Sequence, residues 1–247
     1  MRIIGVIDLL GGRAVHAKGG CRHGYRPVSV VAATGVDGDP SALARVYIDQ
    51  LGIKELYIAD LDAIAGGVED DAAVRAIAET GAGLWLDAGV STVAQATRAL
   101  ARGATRVVLG LETLTSFDAL REIAEAITPD SVAFSLDLRD GHPITDQESL
   151  RGLPIDVIAA RAADAGARSV IVLDVARVGS GRGIDLAAVE TVKRAIPDVT
   201  LLAGGGVRGA DDLRDLAAIG CDGVLVATAL HGSGGANLVR FDGPRHS

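Results

Sequence analysis

Two aspartates stand at the ends of short apolar segments in different halves of the chain. Asp8 ends the segment Arg2–Asp8, and Asp137 ends the segment Val132–Asp137. Two carboxylates on opposite sides of a bound sugar can act as general acid and general base, and environments that separate their pKa values would assign the two roles. We therefore predict that Asp8 and Asp137 are catalytic. Either could instead cap the loop that follows it, and for one aspartate alone that interpretation would be preferred.

Glycine-rich segments follow the later apolar segments and could bind a phosphate. Small residues that lead into helix N-termini let backbone N–H groups and the helix dipole hold a phosphate without lysine. That arrangement fits a chain with a net charge of −8. A single Gly-Gly pair is a weak signal, but three such loops together are a stronger one. The residues predicted to bind the phosphate are Gly179, Ser180, Gly181, Gly204, Gly205, Gly206, Ala227 and Thr228.

The first half of the chain lacks an equivalent phosphate loop. The segment Asp87–Ser91 stands where the second half has Gly204–Arg208, and Glu112 stands where the second half has Thr228. The carboxylates of Asp87 and Glu112 would repel a phosphate. We therefore predict one phosphate site and a substrate with a single phosphate.

The segment from Gly11 to Pro40 is long and carries several basic side chains. Loops of more than about 15 residues without regular structure are usually functional or disordered, so this segment could be a lid over the substrate. Lone histidines are more often surface residues than ligands, and no His, Cys or Asp spacing indicates zinc. We predict no metal and no cofactor. The candidate substrate contacts are His16, Lys18 and Arg26 in this segment, together with Tyr57 and Asp174 elsewhere in the chain. The segment also contains Arg22, His23 and Tyr25, which are not among the candidate contacts.

Eight short apolar segments alternate with longer, Ala-rich amphipathic segments. Continuous apolar character is typical of parallel strands that are buried on both faces. Eight strand–helix units in 247 residues predict an α/β fold, a (βα)8 TIM barrel. In such a barrel the first and fifth strands face each other, so Asp8 and Asp137 would lie across its mouth. A doubly wound sheet is the alternative, but no Rossmann fingerprint is present. The predicted strands are Arg2–Asp8, Glu55–Asp60, Gly83–Ala88, Arg106–Gly110, Val132–Asp137, Ser169–Asp174, Val199–Ala203 and Gly223–Ala227.

The two halves of the chain resemble each other. The segment Leu84–Gly110 matches the segment Leu201–Ala227 at a constant offset, and the same order pairs Asp8 with Asp137 and Asp60 with Asp174. We predict a single domain over 1–247 that is built from half-barrels at about 1–128 and 129–235, with a tail at 236–247. Chance similarity among Ala- and Gly-rich units is the alternative explanation.

Composition argues against several classes of protein. The acidic charge and only seven aromatic residues are unsuited to nucleic-acid binding. No apolar run approaches the ~20 residues of a membrane span, and no signal peptide is visible. Two cysteines, Cys21 and Cys221, form no pairing motif, which fits a reducing compartment. We predict a cytoplasmic protein whose partner is a small phosphorylated metabolite, and the sequence predicts no oligomeric state.

At these residues the sequence resembles the histidine-biosynthesis barrel family. That family comprises phosphoribosylformimino-aminoimidazole-carboxamide ribotide isomerase and the cyclase subunit of imidazole glycerol phosphate synthase. The motifs VIDLLGGRAV, FSLDLRDG, LLAGGGVRGADDL and GVLVATAL carry the resemblance, which covers nearly the whole chain. It implies that Asp8 and Asp137 match the isomerase's acid–base pair, which opens a ribosyl ring in an Amadori-type aldose-to-ketose rearrangement. It also implies a substrate with two phosphates, one on each half.

The sequence departs from the isomerase pattern at several positions. The family threonine of the sixth strand is Leu173, the histidine near the end of the second strand is Tyr57, and the arginine of the first loop is His16. The family's first-half phosphate loop, Gly-Gly-Gly-Ile-Arg, is replaced by Asp87–Ser91, and its Asp-Gly-Thr after the sixth strand reads Val-Gly-Ser at 178–180. These changes cluster at the first-half phosphate site and around the aminoimidazole, so the sequence looks like a divergent, isomerase-like branch.

Three functions are compatible with this pattern. The first is metal-independent acid–base isomerisation of a ribosyl-type substrate with a single phosphate. The second is the family's own isomerase reaction in histidine biosynthesis. The third is a non-catalytic protein that binds a phosphorylated ligand for regulation.

Overall fold

A computed structural model describes residues 1–20, 24–32, 34–232 and 235–239 of the chain. In this part of the chain, eight parallel strands form a closed barrel, because the last strand pairs with both the seventh and the first. The closing register runs from Arg2 opposite Gly223 to Gly5 opposite Val226. The predicted (βα)8 barrel is thereby confirmed. The strands are β1 (Arg2–Leu10), β2 (Glu55–Asp60), β3 (Gly83–Asp87), β4 (Arg106–Gly110), β5 (Val132–Arg139), β6 (Ser169–Asp174), β7 (Thr200–Gly204) and β8 (Gly223–Val226).

Helices alternate with the strands and cover the outside of the barrel. Side chains cap the first turns of several of them: Asp70 accepts a hydrogen bond from the Ala73 N–H group, and Thr92 accepts one from the Gln95 N–H group. The helices are α1 (Pro40–Arg45), α2 (Leu61–Ile64), α3 (Asp71–Ala78), α4 (Val93–Ala101), α5 (Phe117–Ala126), α6 (Ile155–Asp164), α7 (Leu186–Ala195), α8 (Ala210–Ile219), α9 (Thr228–His231) and α10 (Gly235–Val239). A π-helical turn, Val46–Gln50, continues α1.

Apolar side chains fill two layers. One lies between the strands and the helices, and the other fills the barrel interior. Strands that are covered on both faces need apolar residues at nearly every position, which explains why the strand segments read as continuous apolar runs. The interior layer consists of Ile4, Tyr57, Ala59, Trp85, Val108, Ala133, Ile171, Leu202 and Leu225.

Two strands continue beyond the aspartates at which the sequence predicts that they end. β1 runs past Asp8 to Leu10 and turns back into a short antiparallel strand, Arg13–His16. β5 runs past Asp137 to Arg139 and pairs in the same way with His142–Pro143. The antiparallel partners supply the hydrogen bonds that lengthen both strands. These matched hairpins on the first and fifth strands support the half-barrel division, which stays a prediction.

The long segment after β1 contains more regular structure than the sequence indicates. Short strands Arg26–Pro27, Val30–Val31 and Thr34–Gly35 form antiparallel pairs within it, and Val28 and Val31 are buried. Arg22 and His23, which the sequence analysis groups with this segment, lie outside the described residues. At the other end, the predicted tail begins inside α10, whose Leu238 is buried.

The described helices are also short. None of them combines the length and apolar composition that a membrane-crossing helix requires.

Candidate active site

A cavity of about 630 Å³ opens at the C-terminal ends of the strands. This is the end at which (βα)8 barrels carry their catalytic groups. Asp8 of β1 and Asp137 of β5 both line the cavity, as the sequence predicts. Tyr57 of β2 lines it too. The predicted phosphate-binding residues that line it are Gly179, Ser180, Gly181, Gly205, Gly206, Ala227 and Thr228.

Asp8 is a carboxylate without a hydrogen-bond or ion-pair partner among the described residues. It points from β1 into the cavity, and burial raises its pKa to about 7. Desolvation disfavours the charged form of a carboxyl group, so near neutral pH Asp8 is close to half protonated. A group in that condition can take up or release a proton readily.

Asp137 occupies a more enclosed position on the opposite strand. Its side chain is buried, and the Ser135 hydroxyl donates a hydrogen bond of 2.7 Å to its Oδ1. Burial and repulsion from Asp87 raise the pKa of Asp137 to about 8. Near neutral pH this carboxyl group is therefore largely protonated and can donate a proton.

Asp87 is a third buried carboxylate of the cavity. The Tyr57 hydroxyl donates to its Oδ2 at 2.9 Å, because β2 and β3 are neighbours and both side chains face the barrel interior. Burial raises the pKa of Asp87 to about 6, although the hydrogen bond from Tyr57 opposes the shift. Asp87 is predicted above to repel phosphate, and its position at the end of β3 places it in the cavity wall.

The loops after β6, β7 and β8 form the second-half loops, defined here as 178–181, 205–208 and 227–229. The N–H groups of Gly206, Val207, Thr228 and Ala229 donate to no acceptor in the described structure. Thr228 and Ala229 begin α9, whose first-turn N–H groups have no intrahelical acceptor. The second-half loops therefore present free donors at one side of the cavity.

Close contact with neighbouring main-chain atoms explains why these loops contain glycine. At Gly206, where φ is +95°, a Cβ atom would lie 2.9 Å from the Gly183 carbonyl oxygen. At Gly205 a Cβ atom would clash with the Asp174 carbonyl oxygen. The loops after β6 and β7 pack main chain against main chain, so only glycine fits at these positions.

The first-half loops, defined here as 87–92 and 111–114, are different. The Ser91 N–H group donates to Gln95 Oε1 at 3.0 Å. The N–H groups of Leu111, Thr113 and Leu114 donate to main-chain carbonyl oxygens. Glu112 lines the cavity between them. These N–H groups are already occupied, whereas that of Val90 donates to no acceptor in the described structure. Two carboxylates, Asp87 and Glu112, line the cavity beside these loops.

Several predicted site residues lie elsewhere. Asp174 is 2 % exposed and accepts hydrogen bonds from the N–H groups of Asp140, Gly141 and Ala176, with Arg177 beside it. It holds the loops after β5 and β6 together and does not line the cavity. Gly204 also falls outside the lining, because it is the last residue of β7 and its Cβ position faces Leu173 and Leu225.

The predicted basic contacts are also absent from the cavity wall. Lys18 and Arg26 are exposed. His16 lies edge-on to His231, with ring centroids 4.9 Å apart, and His231 Nε2 is 2.7 Å from the Tyr47 hydroxyl. Antiparallel pairing of Arg13–His16 with β1 turns this side chain toward α9, away from the cavity.

Arg139 is a cavity residue that the sequence analysis misses. It lies two residues after Asp137 on the extended part of β5, so both side chains face the same way. The guanidinium group lies close to Gly20 and makes no hydrogen bond or ion pair with the described residues. Continuing the strand alternation two residues beyond the predicted end of β5 would have placed Arg139 on the same face as Asp137.

Within the described ranges, no group of three or more His, Cys, Asp and Glu side chains is arranged to hold a metal ion. The polar groups of the cavity are carboxylates, the tyrosines Tyr25 and Tyr57, the arginines Arg139 and Arg208, hydroxyl groups and backbone N–H groups.

A closed barrel of eight parallel strands, with acidic groups and glycine-rich loops at the C-terminal ends of its strands, defines a (βα)8-barrel protein. Residues 2–234 match the sequence profile of the family described as "Histidine biosynthesis protein". The chain belongs to that family.

Several relatives carry one functional name, 1-(5-phosphoribosyl)-5-((5-phosphoribosylamino)methylideneamino)imidazole-4-carboxamide isomerase. A protein so named from Thermus thermophilus is 32 % identical over 234 residues, which cover 94 % of each chain. Those from Deinococcus radiodurans and Halobacterium salinarum are 31 % and 34 % identical. The first covers 93 % of both chains, and the second covers 78 % of this chain and 80 % of its own. The chain is therefore similar to isomerases over nearly its whole length.

Proposed function

We propose that this protein is an acid–base isomerase that acts on a phosphorylated ribosyl-type substrate, with Asp8 and Asp137 as its catalytic pair. One observation carries the proposal. Two carboxyl groups from β1 and β5 line a single cavity, and burial holds the pKa of each near neutrality. The names of the relatives support the class of reaction.

The proposed chemistry is an Amadori-type aldose-to-ketose rearrangement. A protonated carboxyl group donates its proton to the ring oxygen as the bond between C1 and that oxygen breaks, and the lone pair of the nitrogen on C1 forms a C1=N iminium bond. The ionised carboxylate then removes the proton from C2, and the electrons of that C–H bond form a C1=C2 double bond as the C1=N pair returns to the nitrogen. The resulting enaminol becomes the ketose when the base returns its proton to C1 and the C2 hydroxyl gives its proton back to the acid. The higher pKa of Asp137 favours it as the acid and Asp8 as the base.

The pH dependence of turnover tests this assignment. The base must be ionised and the acid protonated, so activity falls below the lower pKa and above the higher one. We expect a bell-shaped profile of kcat/KM with its maximum between about pH 7 and pH 8. The two apparent pKa values belong to the pair, since the groups share one cavity. A constant rate from about pH 5 to about pH 9 would contradict the mechanism.

The phosphate of the substrate is proposed to bind at the second-half loops. The free N–H groups of Gly206, Val207, Thr228 and Ala229 can each donate to a phosphate oxygen. Arg208 lines the same side of the cavity, although Asp212 holds its guanidinium group through two hydrogen bonds.

Two kinds of compound are candidate substrates. The names of the relatives favour their own substrate, which carries two phosphoribosyl groups. Complementation of an isomerase-deficient strain, with an assay of the purified protein on that substrate, tests this candidate directly. Growth with turnover would establish the relatives' reaction. Ligand binding without turnover of any phosphoribosyl substrate would instead indicate a non-catalytic regulatory protein.

A substrate with a single phosphate is the second candidate, and the first-half loops favour it. The N–H groups of Ser91, Leu111, Thr113 and Leu114 are already occupied there, and the carboxylates of Asp87 and Glu112 line the cavity beside them and would repel a second phosphate. In crystals grown with inorganic phosphate, we expect one anion at the second-half loops and none at Gly89 or Glu112. Anions at both sites would support the two-phosphate substrate and refute this candidate.

We also propose that residues 1–247 form one domain, built of half-barrels at about 1–128 and 129–235, and that the protein works in the cytoplasm. The matched hairpins of β1 and β5 support the first statement. The biosynthetic names of the relatives support the second.

A further inference from the structure

We propose that Asp87 is a positioning residue for the isomerisation: its carboxylate, held by the Tyr57 hydroxyl, faces Asp137 across Gly110 and makes Asp137 the acid of the catalytic pair. The inference rests on the proposed function, which supplies the catalytic pair. It goes further because it names the group that makes the two catalytic aspartates unequal.

The strand β4 lies between the strands that carry Asp87 and Asp137. Its last residue, Gly110, follows Val108 of the interior layer by two positions and so faces the inside of the barrel. A Cβ atom at Gly110 would lie 3.1 Å from Asp137 Oδ2 and 3.9 Å from Asp87 Oδ2. The Thr113 hydroxyl is near the same point but donates to the Gly110 carbonyl oxygen. Because β4 ends without a side chain, the two carboxyl groups face one space with no side chain of that strand between them.

Two donors favour the ionised form of Asp87. The Tyr57 hydroxyl donates to its Oδ2 at 2.9 Å, and the Gly89 N–H group donates to its Oδ1 at 3.4 Å. Hydrogen bonds to a carboxylate stabilise its charge, so the pKa of Asp87, about 6, lies below that of Asp137, about 8. Between these two pH values Asp87 carries a negative charge while Asp137 keeps its proton.

Repulsion from Asp87 distinguishes Asp137 from Asp8. Burial raises the pKa of Asp8, whereas burial and the charge of Asp87 both raise the pKa of Asp137. The hydrogen bond from Ser135 lowers the pKa of Asp137, so it cannot be the reason why this group holds its proton more tightly. Without Asp87, the pKa values of the two catalytic groups would lie closer together, and the environment would no longer assign their roles.

The other described ionisable groups near Asp87 and Asp137 are Glu112, Tyr57, Asp60 and Arg139. Glu112 and Arg139 are exposed, so water screens their charges. Tyr57 is uncharged, since burial and the neighbouring carboxylates raise its pKa well above 10.0. The Asp60 carboxylate is already bound by two backbone N–H groups. Asp87 is therefore the buried charge that acts on Asp137.

The pH dependence of kcat/KM tests the inference. Asp87→Asn removes the charge and keeps an acceptor for the Tyr57 hydroxyl. We expect its alkaline limb to move down by about one pH unit, because Asp137 loses its proton more easily without the repulsion. The acid limb, which is set by Asp8, should stay in place. Asp87→Gly, which introduces the first glycine of the isomerase pattern, should move the alkaline limb in the same direction.

Two further variants separate the charge from the hydrogen bond. Tyr57→Phe breaks the same hydrogen bond but leaves the carboxylate of Asp87, so its alkaline limb should not move down. Glu125→Gln, on the exposed face of α5, removes a distant negative charge and should keep the wild-type profile. An alkaline limb that stays in place in Asp87→Asn and Asp87→Gly would overturn the inference. Equal downward shifts in Asp87→Asn and Tyr57→Phe would overturn it too, because the hydrogen bond and not the charge would then be responsible.

A carbon-13 NMR titration of the aspartate carboxyl groups tests the inference in the wild-type protein, whether or not the Asp87 variants fold. Asp137→Asn identifies the signal of Asp137. We expect that signal to change mainly near pH 8, with a smaller step near pH 6 as Asp87 ionises. Absence of the smaller step would overturn the inference, because the charge of Asp87 would then not reach Asp137. The proposed function fails by a different result, namely undiminished turnover after replacement of Asp8 or Asp137, so the two failures are distinguishable.

Discussion

Replacing Asp137 with asparagine is expected to reduce kcat for the isomerisation by about a hundredfold to ten-thousandfold. Asparagine keeps the size of the side chain and can still accept the hydrogen bond from Ser135, which is 2.7 Å from Asp137 in the wild-type protein. It cannot donate a carboxylic-acid proton to the ring oxygen. Asp8→Asn should cause a loss of similar size, because the amide cannot remove the proton from C2. Steady-state kinetics on the isomerase substrate measures both effects.

The control for these variants is Asp130→Asn, an exposed aspartate near the opposite end of β5. It should keep wild-type kcat. Substrate affinity should change little in Asp8→Asn and Asp137→Asn, since the phosphate is proposed to bind at the second-half loops. Wild-type turnover in either catalytic variant, with a folded protein, would eliminate that residue from the proposed pair.

The same substitution at Asp137 is expected to stabilise the folded protein at alkaline pH. Burial raises the pKa of Asp137 from 3.8 to about 8, so the folded state holds its proton over a range in which the unfolded chain has lost it. The resulting stability is complete below about pH 4 and is lost as pH rises through about 8. Asparagine has no carboxyl proton to lose, so the stability of Asp137→Asn should not fall in this way as the pH rises.

Urea unfolding at several pH values measures the effect. At about pH 9, Asp137→Asn should raise the free energy of unfolding over wild type by about 1–3 kcal/mol. At about pH 3 the advantage should disappear, because both states of the wild-type protein are then largely protonated at this position. An Asp137→Asn variant that is less stable than wild type at alkaline pH would show that the carboxylate has favourable contacts that outweigh its burial.

The sequence predicts the barrel and the positions of the catalytic candidates because both depend on local patterns. Asp8 and Asp137 stand at recognisable strand ends, and parallel strands bring such ends to one side of a barrel. Gly205 and Gly206 are predictable for a similar reason, since a glycine run after a strand indicates close main-chain packing.

Other parts of the site depend on pairing that the sequence does not reveal. Arg139 enters the cavity only because β5 continues into a hairpin with His142–Pro143. His16 lies outside the cavity because the strand Arg13–His16 pairs with β1 and turns the side chain toward His231. Asp174 has the same sequence context as the catalytic candidates, but it is bonded to three N–H groups from the loops after β5 and β6. Partners of this kind come from distant segments and cannot be read from spacing.

One contact between loops has a mechanical consequence. The Gly19 N–H group donates to the Val178 carbonyl oxygen at 2.9 Å, and the Cβ position of Gly179 faces the Ala17 carbonyl oxygen. The segment after β1 is thus fastened to the loop in which Ser180 lines the cavity. Neither can swing outward without the other unless this hydrogen bond breaks. Any outward movement of one loop that keeps this hydrogen bond therefore carries the other loop with it.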